Sequence, residues 1–550
     1  MSTADDPRWW RSALIYQIYP RSFADANGDG IGDLAGIRQR LAYLADLGVD
    51  AVWFSPWYPS PMADAGYDVS DYRDIDPVFG TLAEAEELIA DAHRLDLRVI
   101  IDVVPNHCSD AHPWFQAALA SPDAPERELF WFHPGRGPDG SQKPTDWVSP
   151  FGGDTWTRTT NPDGTPGDWY LHLFAPQQPD FNWDHPRVRA EFEDILRFWL
   201  DRGVDGIRID SAAMLAKDPA LPEAPPEGPS PFIDLDAVHE IYRSWRRLAD
   251  QYPGGRALIG EVWLPDHQRF ADYLRPDELH AAFNFDFLGC AWDAAALRAC
   301  IDTTLAAHAP VDAPATWVLS NHDVTRHVTR YGREDTTFSF AAKREGVPSD
   351  LELGTRRARA AALLSLSLPG AAYVYQGEEL GLWEVEDIPR ELLQDPMHFR
   401  SGGVDPGRDG CRVPLPWSGE TPPFGFSPDD ASAAPWLPQP ADWKDRTAQA
   451  QAGDDRSMLE LYRAAIAIRR AEPALGDGAM SWLPVPDDVL AYRRSPRFVC
   501  LVNLSGTPVP LPPHTERLLS SGPLEDDLLP PDTAVWLLTA DETPTAPDPA

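Results

Sequence analysis

The chain has 550 residues, of which 43% are hydrophobic, and its formal net charge at pH 7 is -39. This length exceeds that of a single compact core, so we expect one large domain and at least one smaller domain. The strong negative charge argues against binding to nucleic acid and to anionic membrane surfaces, and it says nothing about the substrate.

The N-terminal region combines a strand pattern with an acidic, glycine-rich loop. Residues 1–10 lack a basic segment followed by an apolar core, so no signal peptide is predicted. Residues 13–23 have the pattern of a strand, and the loop after them carries oxygen-bearing side chains at alternate positions, namely Asp25, Asn27, Asp29 and Asp33. Such a loop can wrap a hard cation such as Ca²⁺. An EF-hand loop would have a glutamate where Gly36 stands, so a metal-free Asx- and Gly-rich turn is the alternative.

Helix and strand patterns then alternate along the chain. Apolar residues at helical spacing predict a helix that ends at Gly48, and a buried strand follows at residues 49–56. Thr81 and Glu84 form a capping box at the start of the next helix. The apolar run at residues 97–104 is typical of a central parallel strand. Repeated alternation of this kind predicts βα units around a parallel sheet.

The alternation stops after His107 and resumes with a helix at residues 188–200. The intervening residues 108–184 are rich in Pro, Gly, Asp and Trp, and a loop of that length predicts a functional insertion. Further strands are predicted at residues 205–210, 257–263, 283–287, 316–319 and 371–375. Counted from Ile15, these make eight strands, the number that closes a (β/α)8 TIM barrel.

The C-terminal part begins with a second irregular segment, residues 377–456, and a helix at residues 459–470. Short strands with Pro and Gly turns then predict an antiparallel β-sandwich domain. We therefore predict a barrel from residues 1–107 and 185–472, an inserted B domain at 108–184 and a C-terminal domain at 473–541. Residues 542–550 are predicted to be a disordered tail. Five scattered cysteines without ligand spacing favour reduced thiols and a cytoplasmic location, and no apolar run is long enough to span a membrane.

Acidic residues mark the C-terminal ends of four predicted strands: Asp102, Asp210, Glu261 and Asp323. That rim is where the catalytic groups of such barrels converge. Arg208 lies two residues before Asp210 on the same face of a strand, and its charge would keep that carboxylate ionised. Glu261 has no arginine beside it in the sequence, so it is the better proton donor. A structural ion pair and solvated loop charges are the alternatives.

Four motifs carry a resemblance to glycoside hydrolase family 13, the α-amylase family, close to its oligo-1,6-glucosidase and α-glucosidase branch. They are DVVPNH at residues 102–107, GIRID at 206–210, GEVW at 260–263 and SNHD at 320–323. QPDFNW at residues 178–183 and GRDGCRVP at 407–414 are also similar to segments of that branch. The matches stand in the family's order and span most of the chain.

The resemblance implies a role for each matching residue. Asp210 would be the nucleophile, Glu261 the general acid/base, and Asp323 the residue that stabilises the transition state. The implied substrate-binding residues are Tyr67, Asp68, His107, Arg208, Ser211, His322 and Arg326. Of these, Tyr67, Asp68 and Arg326 resemble the groups that close the pocket in exo-acting members. The implied Ca²⁺ ligands are Asp25, Asn27, Asp29, Asp33 and the backbone carbonyl of Ile31.

The expected function is that of a retaining, exo-acting α-glucosidase that releases glucose from short α-glucosides, with possible transglucosylation. Ser211, which follows the nucleophile, favours maltose-type α-1,4 substrates, because Thr accompanies α-1,4 and Val α-1,6 preference in relatives. Three alternatives are an oligo-1,6-glucosidase, a sucrose- or trehalose-type transferase or isomerase, and an endo-acting amylase. A fourth is a non-catalytic barrel that serves as a transporter subunit or binding module. The expected partner is a small oligosaccharide, and the oligomeric state stays open. Retention requires the carboxyl groups of Asp210 and Glu261 to lie roughly 5–5.5 Å apart.

Overall fold

A computed structural model describes residues 6–225, 228–340, 346–494, 496–524 and 526–540. The predicted tail at 542–550 lies outside these residues. The strands are β1 (Leu14–Ile18), β2 (Ala51–Phe54), β3 (Arg98–Val103), β4 (Phe132–His133), β5 (Trp156–Thr160), β6 (Pro166–Leu171), β7 (Gly206–Ile209), β8 (Ala257–Gly260), β9 (Ala281–Ala282), β10 (Thr316–Val318), β11 (Ala371–Tyr375), β12 (Met480–Trp482), β13 (Val489–Arg494), β14 (Phe498–Asn503), β15 (Val509–Pro510), β16 (Glu516–Ser520), β17 (Leu528–Leu529) and β18 (Thr533–Leu538).

The helices include the two for which capping residues were predicted. They are α1 (Leu34–Leu47), α2 (Leu82–Arg94), α3 (Pro113–Leu119), α4 (Pro186–Asp201), α5 (Ala237–Ala249), α6 (His267–Asp272), α7 (Phe285–Gly289), α8 (Ala294–His308), α9 (His327–Tyr331), α10 (Leu351–Ser367), α11 (Pro396–Arg400), α12 (Ala448–Gln451) and α13 (Met458–Ala471). Gly48 ends α1 with a φ of 92°, and Thr81 with Glu84 forms the capping box of α2.

Eight parallel strands form the barrel, in the order β10, β11, β1, β2, β3, β7, β8, β9. The side chain of Thr316 connects β10, the first strand of this order, to β9, the last. The hydroxyl of Thr316 donates to the carbonyl of Ala282 at 2.6 Å and accepts the N–H of Asn284 at 3.1 Å. With the antiparallel sheets beyond α13, this arrangement confirms the predicted TIM barrel with a C-terminal β domain.

The predicted sixth strand, residues 283–287, is wrong in position and in type. The strand is β9, two residues earlier, and residues 285–289 form α7. Asn284 explains the difference because its side chain accepts the N–H of Phe287 at 3.0 Å and caps the helix. A short aromatic run does not distinguish a buried strand from a buried helix turn.

Smaller antiparallel sheets are inserted within the barrel sequence and also follow it. Strands β4, β6 and β5 form an antiparallel sheet within the segment between β3 and α4. At the C-terminus, β12, β13, β14, β18 and β16 form one antiparallel sheet, and β15 pairs with β17. This domain docks on α10, where the indole N–H of Trp536 donates to the carbonyl of Leu363 at 3.0 Å. Among the described residues, none of the helices combines the length and apolar character needed to cross a bilayer.

Candidate active site

A cavity of about 460 Å³ opens at the C-terminal ends of the barrel strands. That volume suits a small ligand. Seven of its lining side chains come from the sequence prediction: Tyr67, His107, Asp210, Ser211, Glu261, His322 and Asp323. The remaining walls are mostly apolar or aromatic, with Phe151, Phe174, Trp263, Phe340 and Met397 among them.

One guanidinium joins three of the rim acids. Arg208, on β7, reaches Asp102 at 2.7 Å, Asp210 at 2.8 Å and Glu261 at 2.8 Å. All four side chains are nearly or fully withdrawn from solvent. Asp102 stands directly opposite Arg208 in the pairing of β3 with β7, so strand register alone brings them together. The structure therefore places the two predicted catalytic carboxyl groups at a single site.

The shared arginine corrects one step of the sequence argument. Glu261 does have an arginine beside it, because Arg208 contacts it as closely as it contacts Asp210. Glu261 also accepts the backbone N–H of Ser211 at 2.9 Å and the indole N–H of Trp263 at 3.0 Å. Burial and repulsion from Glu261 raise the pKa of Asp210 well above its usual range. Burial and Glu261 therefore oppose the ionisation of Asp210 that was expected from Arg208 alone, while the positive charge of Arg208 favours it.

Ser211 supports both acids from a conformation that is rare for a residue with a side chain. Its φ is 48°, in the left-handed region, directly after β7. Its hydroxyl donates to Asp210 at 3.0 Å while its backbone N–H donates to Glu261. Left-handed residues other than glycine cluster at functional sites, because the surrounding structure must hold them there.

Asp323 lines the same cavity beside two arginines. Its carboxylate pairs with Arg408 at 3.0 Å and Arg412 at 3.1 Å, and it contacts His322 at 3.3 Å. Burial opposes ionisation, but these neighbours outweigh it and hold the pKa of Asp323 well below its usual range. Asp323 is therefore an anion at neutral pH, whereas burial and a neighbouring carboxyl group oppose the ionisation of Asp210.

The two predicted histidines line the cavity in the neutral form. Burial lowers the pKa of His107 to about 4 and that of His322 to about 3. His322 lies parallel to the ring of Tyr67, with the centroids 5.2 Å apart, and the Tyr67 hydroxyl donates to Asp102 at 3.0 Å. Burial raises the pKa of Asp102 to about 7. Asp102 is fully enclosed and contacts Arg208, so its position suits orienting that arginine.

Of the three predicted pocket-closing residues, Tyr67 lines the cavity, whereas Asp68 and Arg326 do not. The carboxylate of Asp68 turns back to accept the backbone N–H groups of Ala63 and Asp64 at 3.0 and 2.9 Å. Arg326 donates to backbone carbonyls, that of Gln376 at 3.0 Å among them. Both residues therefore brace the loops behind the cavity.

Asp64 and Arg408 stand where that pair was expected. They line the cavity and form an ion pair of 2.6 Å. Asp395 holds Arg408 from behind through two guanidinium contacts of 2.6 and 3.0 Å. Arg408 thus links Asp64 on one wall to Asp323 on another, which closes one end of the cavity with charged groups.

Comparison with known proteins decides the family. Residues 17–478 match the family model described as "Alpha amylase, catalytic domain". The chain belongs to the α-amylase family of glycoside hydrolases. The resemblance predicted from four motifs is therefore confirmed, and the chain is a glycoside hydrolase.

Relatives within the α-amylase family cover almost the whole chain. A probable α-glucosidase of Rhizobium meliloti is 39% identical and aligns over 91% of this chain and 90% of its own length. An oligo-1,6-glucosidase of Parageobacillus thermoglucosidasius is 33% identical, with 93% and 94% covered. Among solved structures, the α-glucosyl transfer enzyme XgtA superposes with a TM-score of 0.84 at 35% identity, over 97% of this chain and 99% of that chain. The trehalulose synthase MutB from Pseudomonas mesoacidophila MX-45 gives 0.83 at 31%, over 96% and 99%.

A buried lysine ties the inserted segment of this α-amylase-family chain to its barrel. The ammonium of Lys217 donates to the side chain of Asn106 at 2.6 Å and to the carbonyl of Met214 at 2.7 Å, and it pairs with Asp180 at 2.7 Å. Lys217 and Asp180 are both inaccessible to solvent. Asn106 therefore has a buried side-chain cation as its partner, a contact between residues 111 positions apart that no local pattern in the sequence indicates.

The predicted calcium loop supplies the right kind of donors. Asp25 and Asp33 are buried, and their oxygens accept backbone N–H groups of the loop at 2.7–3.1 Å. Burial raises the pKa of Asp33, and the charge of Asp25 adds to that increase. Asn27 and Asp29 are exposed at the loop surface. Across the described residues, however, no group of three or more His, Cys, Asp or Glu side chains is arranged to hold a metal ion. Calcium binding therefore stays a prediction.

Proposed function

We propose that the protein is a retaining, exo-acting α-glucosidase that releases glucose from the non-reducing end of short α-glucosides. The observation that carries the proposal is the arrangement of acids in one small cavity. The carboxyl groups of Asp210 and Glu261 are held side by side by Arg208, and the anion Asp323 lines the same cavity. Two carboxyl groups at one anomeric carbon are what retaining hydrolysis requires.

The proposed reaction has two steps. An Asp210 oxygen attacks the anomeric carbon, the bond from that carbon to the leaving oxygen breaks, and Glu261 gives its proton to the leaving oxygen. Water then attacks the glucosyl ester, gives a proton to Glu261 and releases Asp210. Proton transfer of this kind contributes on the order of 10²–10⁴ in rate. A sugar hydroxyl in place of water yields a transglucosylated product.

The end-wall pair, Asp64 and Arg408, supports exo action. Both side chains are buried, and Arg408 is held by Asp395 as well. A glucose unit bound against this charged wall can direct its own hydroxyl groups to the pair, whereas a longer chain would have to displace it. Cleavage is therefore confined to the terminal glucose.

The preference for maltose-type α-1,4 bonds rests on Ser211, whose hydroxyl is bonded to Asp210 at 3.0 Å. Glucosyl transfer on the same scaffold is the second candidate function, because structural neighbours include an α-glucosyl transfer enzyme and a trehalulose synthase. The two functions differ only in the acceptor that meets the glucosyl–Asp210 ester.

Time-resolved product analysis tests the proposal. Purified protein is incubated with maltose, isomaltose, maltotriose, sucrose and soluble starch, and the products are separated by chromatography. We expect glucose from maltose and maltotriose at the outset, with slow loss of starch viscosity. Asp210→Asn should abolish the activity. Rapid loss of starch viscosity would overturn the proposal, as would a folded wild-type protein that cleaves none of these substrates. Sucrose isomers as the main products would favour the second function.

We further propose that residues 25–33 bind Ca²⁺ as a structural ion. The donors would be the side chains of Asp25, Asn27, Asp29 and Asp33 with the carbonyl of Ile31, and hard oxygen ligands suit this cation. Because Asp33 also caps α1, accepting the N–H of Gly36 at 2.7 Å, bound metal would stabilise the first barrel helix. Removal of the ion with EGTA should lower the melting temperature, and Ca²⁺ should restore it. An Asp29→Ala variant should show no response to either.

We also propose a cytoplasmic location, which the free state of all five cysteines supports. Activity in the cytosolic fraction of the native cells, with none in the medium, is the expected result.

A further inference from the structure

A second cavity of about 620 Å³ lies beside the catalytic one. It lies between α6, α7 and α8, and its lining includes Leu264, Phe270, Ala296 and Ala307. Trp263 and Phe340 line both cavities, so these two aromatic side chains form the partition between them. The volume is in the range of small-molecule sites.

The walls of the second cavity suit an apolar ligand. The buried polar groups in its lining are already bonded to the protein: Asn284 donates to Thr304 at 2.9 Å, and His308 contacts the carbonyl of Pro314 at 3.1 Å. Burial lowers the pKa of His308 to about 4, so its ring is neutral near pH 7. Two ionisable side chains, His267 and Asp286, lie partly exposed at the rim, 3.4 Å from each other.

The partition is directly attached to the proton donor. The indole N–H of Trp263 donates to Glu261 at 3.0 Å, and the indole ring stacks on Phe285 with the centroids 3.5 Å apart. Glu261 must contact the leaving oxygen to protonate it. The group attached to that oxygen therefore starts next to Trp263, at the boundary of the second cavity.

We propose that this cavity binds the apolar aglycone of alkyl α-glucosides, so that the rate of their hydrolysis rises with the length of the alkyl chain. The inference rests on the proposed glucosidase function and names its substrate class. The hydrophobic part of the aglycone lies against Phe270 and Leu264, while its oxygen stays at Glu261. The released alcohol is the species that the cavity holds after the first step.

Kinetics with a homologous series test the proposal. The probes are methyl, butyl, hexyl and octyl α-glucosides, with maltose as the reference. For the wild type we expect kcat/KM to rise roughly two- to fourfold for each added methylene, as burial of apolar surface predicts. Ala296→Phe, which fills the cavity from α8, and Phe270→Ser, which makes its wall polar, should both flatten the series.

Ala295 provides the matched control. It neighbours Ala296 on α8 but is exposed and does not line the cavity, so Ala295→Phe should keep the wild-type slope. Maltose and methyl α-glucoside should change less than about twofold in every variant, because their leaving groups lack an alkyl chain long enough to gain from this burial. A flat wild-type series, or an equal slope in the control and both cavity variants, would overturn this inference alone. A wild type that cleaves neither maltose nor methyl α-glucoside would overturn the proposed function itself.

Discussion

Trp263→Phe isolates one hydrogen bond at the proton donor. The substitution keeps an aromatic ring between the two cavities and removes the indole N–H that reaches Glu261 at 3.0 Å. A donor to a carboxylate favours the ionised form, so its loss lets the protonated form persist to higher pH. A hydrogen bond to a charged group contributes about 1.5–3 kcal/mol. At 1.36 kcal/mol per pKa unit, the lower end of that range corresponds to about one pH unit.

We therefore expect the basic limb of the kcat/KM profile to move upward by about one pH unit in Trp263→Phe. The assay is initial-rate hydrolysis of maltose between pH 4 and pH 9, with released glucose as the readout. Trp482→Phe is a matched control, because Trp482, in β12 of the C-terminal domain, also donates to a carboxylate, that of Asp302 in α8, at 2.6 Å. A basic limb that stays in place or moves downward in folded Trp263→Phe would refute the reasoning.

Three further predictions concern the buried charges. Asp64→Asn should lower kcat/KM for maltose roughly 10- to 100-fold by removing a charged contact of Arg408, whereas Asp68→Asn should lower the melting temperature and change kcat/KM much less. Lys217→Ala leaves the buried Asp180 without its cation and should cost about 3–5 kcal/mol in urea unfolding; equal stability would contradict the tether. Burial raises the pKa of Glu378 from 4.5 to about 8. The contribution of this group to folding stability is therefore fully present below about pH 4.5 and is lost as the pH rises towards 8. Glu378→Gln should flatten that slope in thermal melts.

Much of the catalytic rim was accessible from the sequence because it follows from strand ends. The strands read as short apolar runs, and Asp210 and Glu261 each come directly after one. In a parallel barrel, the C-terminal ends of all strands lie on one face, so linear position translates into proximity. The predicted strand at 283–287 failed for lack of such regularity, since β9 has only two residues.

The end-wall pair, Asp64 and Arg408, could not be predicted from the sequence for a different reason. Asp64 and Asp68 lie on one turn, and which of them faces the cavity depends on backbone conformations with no periodicity. Met62 and Ala65 have φ values of 63° and 51°, and these positions turn Asp64 towards the cavity while Asp68 accepts the turn's N–H groups. Arg408 comes from an irregular segment. Its motif, residues 407–414, supported the family resemblance but did not predict that the side chain of Arg408 lines the cavity.

The two arginines divide the electrostatic organisation of the cavity. Arg208 lies within β7 and contacts Asp210 at the end of its own strand and Asp102 and Glu261 on the two neighbouring strands. Arg408 comes from a loop and serves Asp64, Asp323 and Asp395. Strand register is hard to alter without disrupting the barrel, whereas loops tolerate change. The barrel strands therefore fix the position of the two acids that break the glucosidic bond, Asp210 and Glu261. A loop that tolerates change positions Arg408, which limits the glucose units that can reach them.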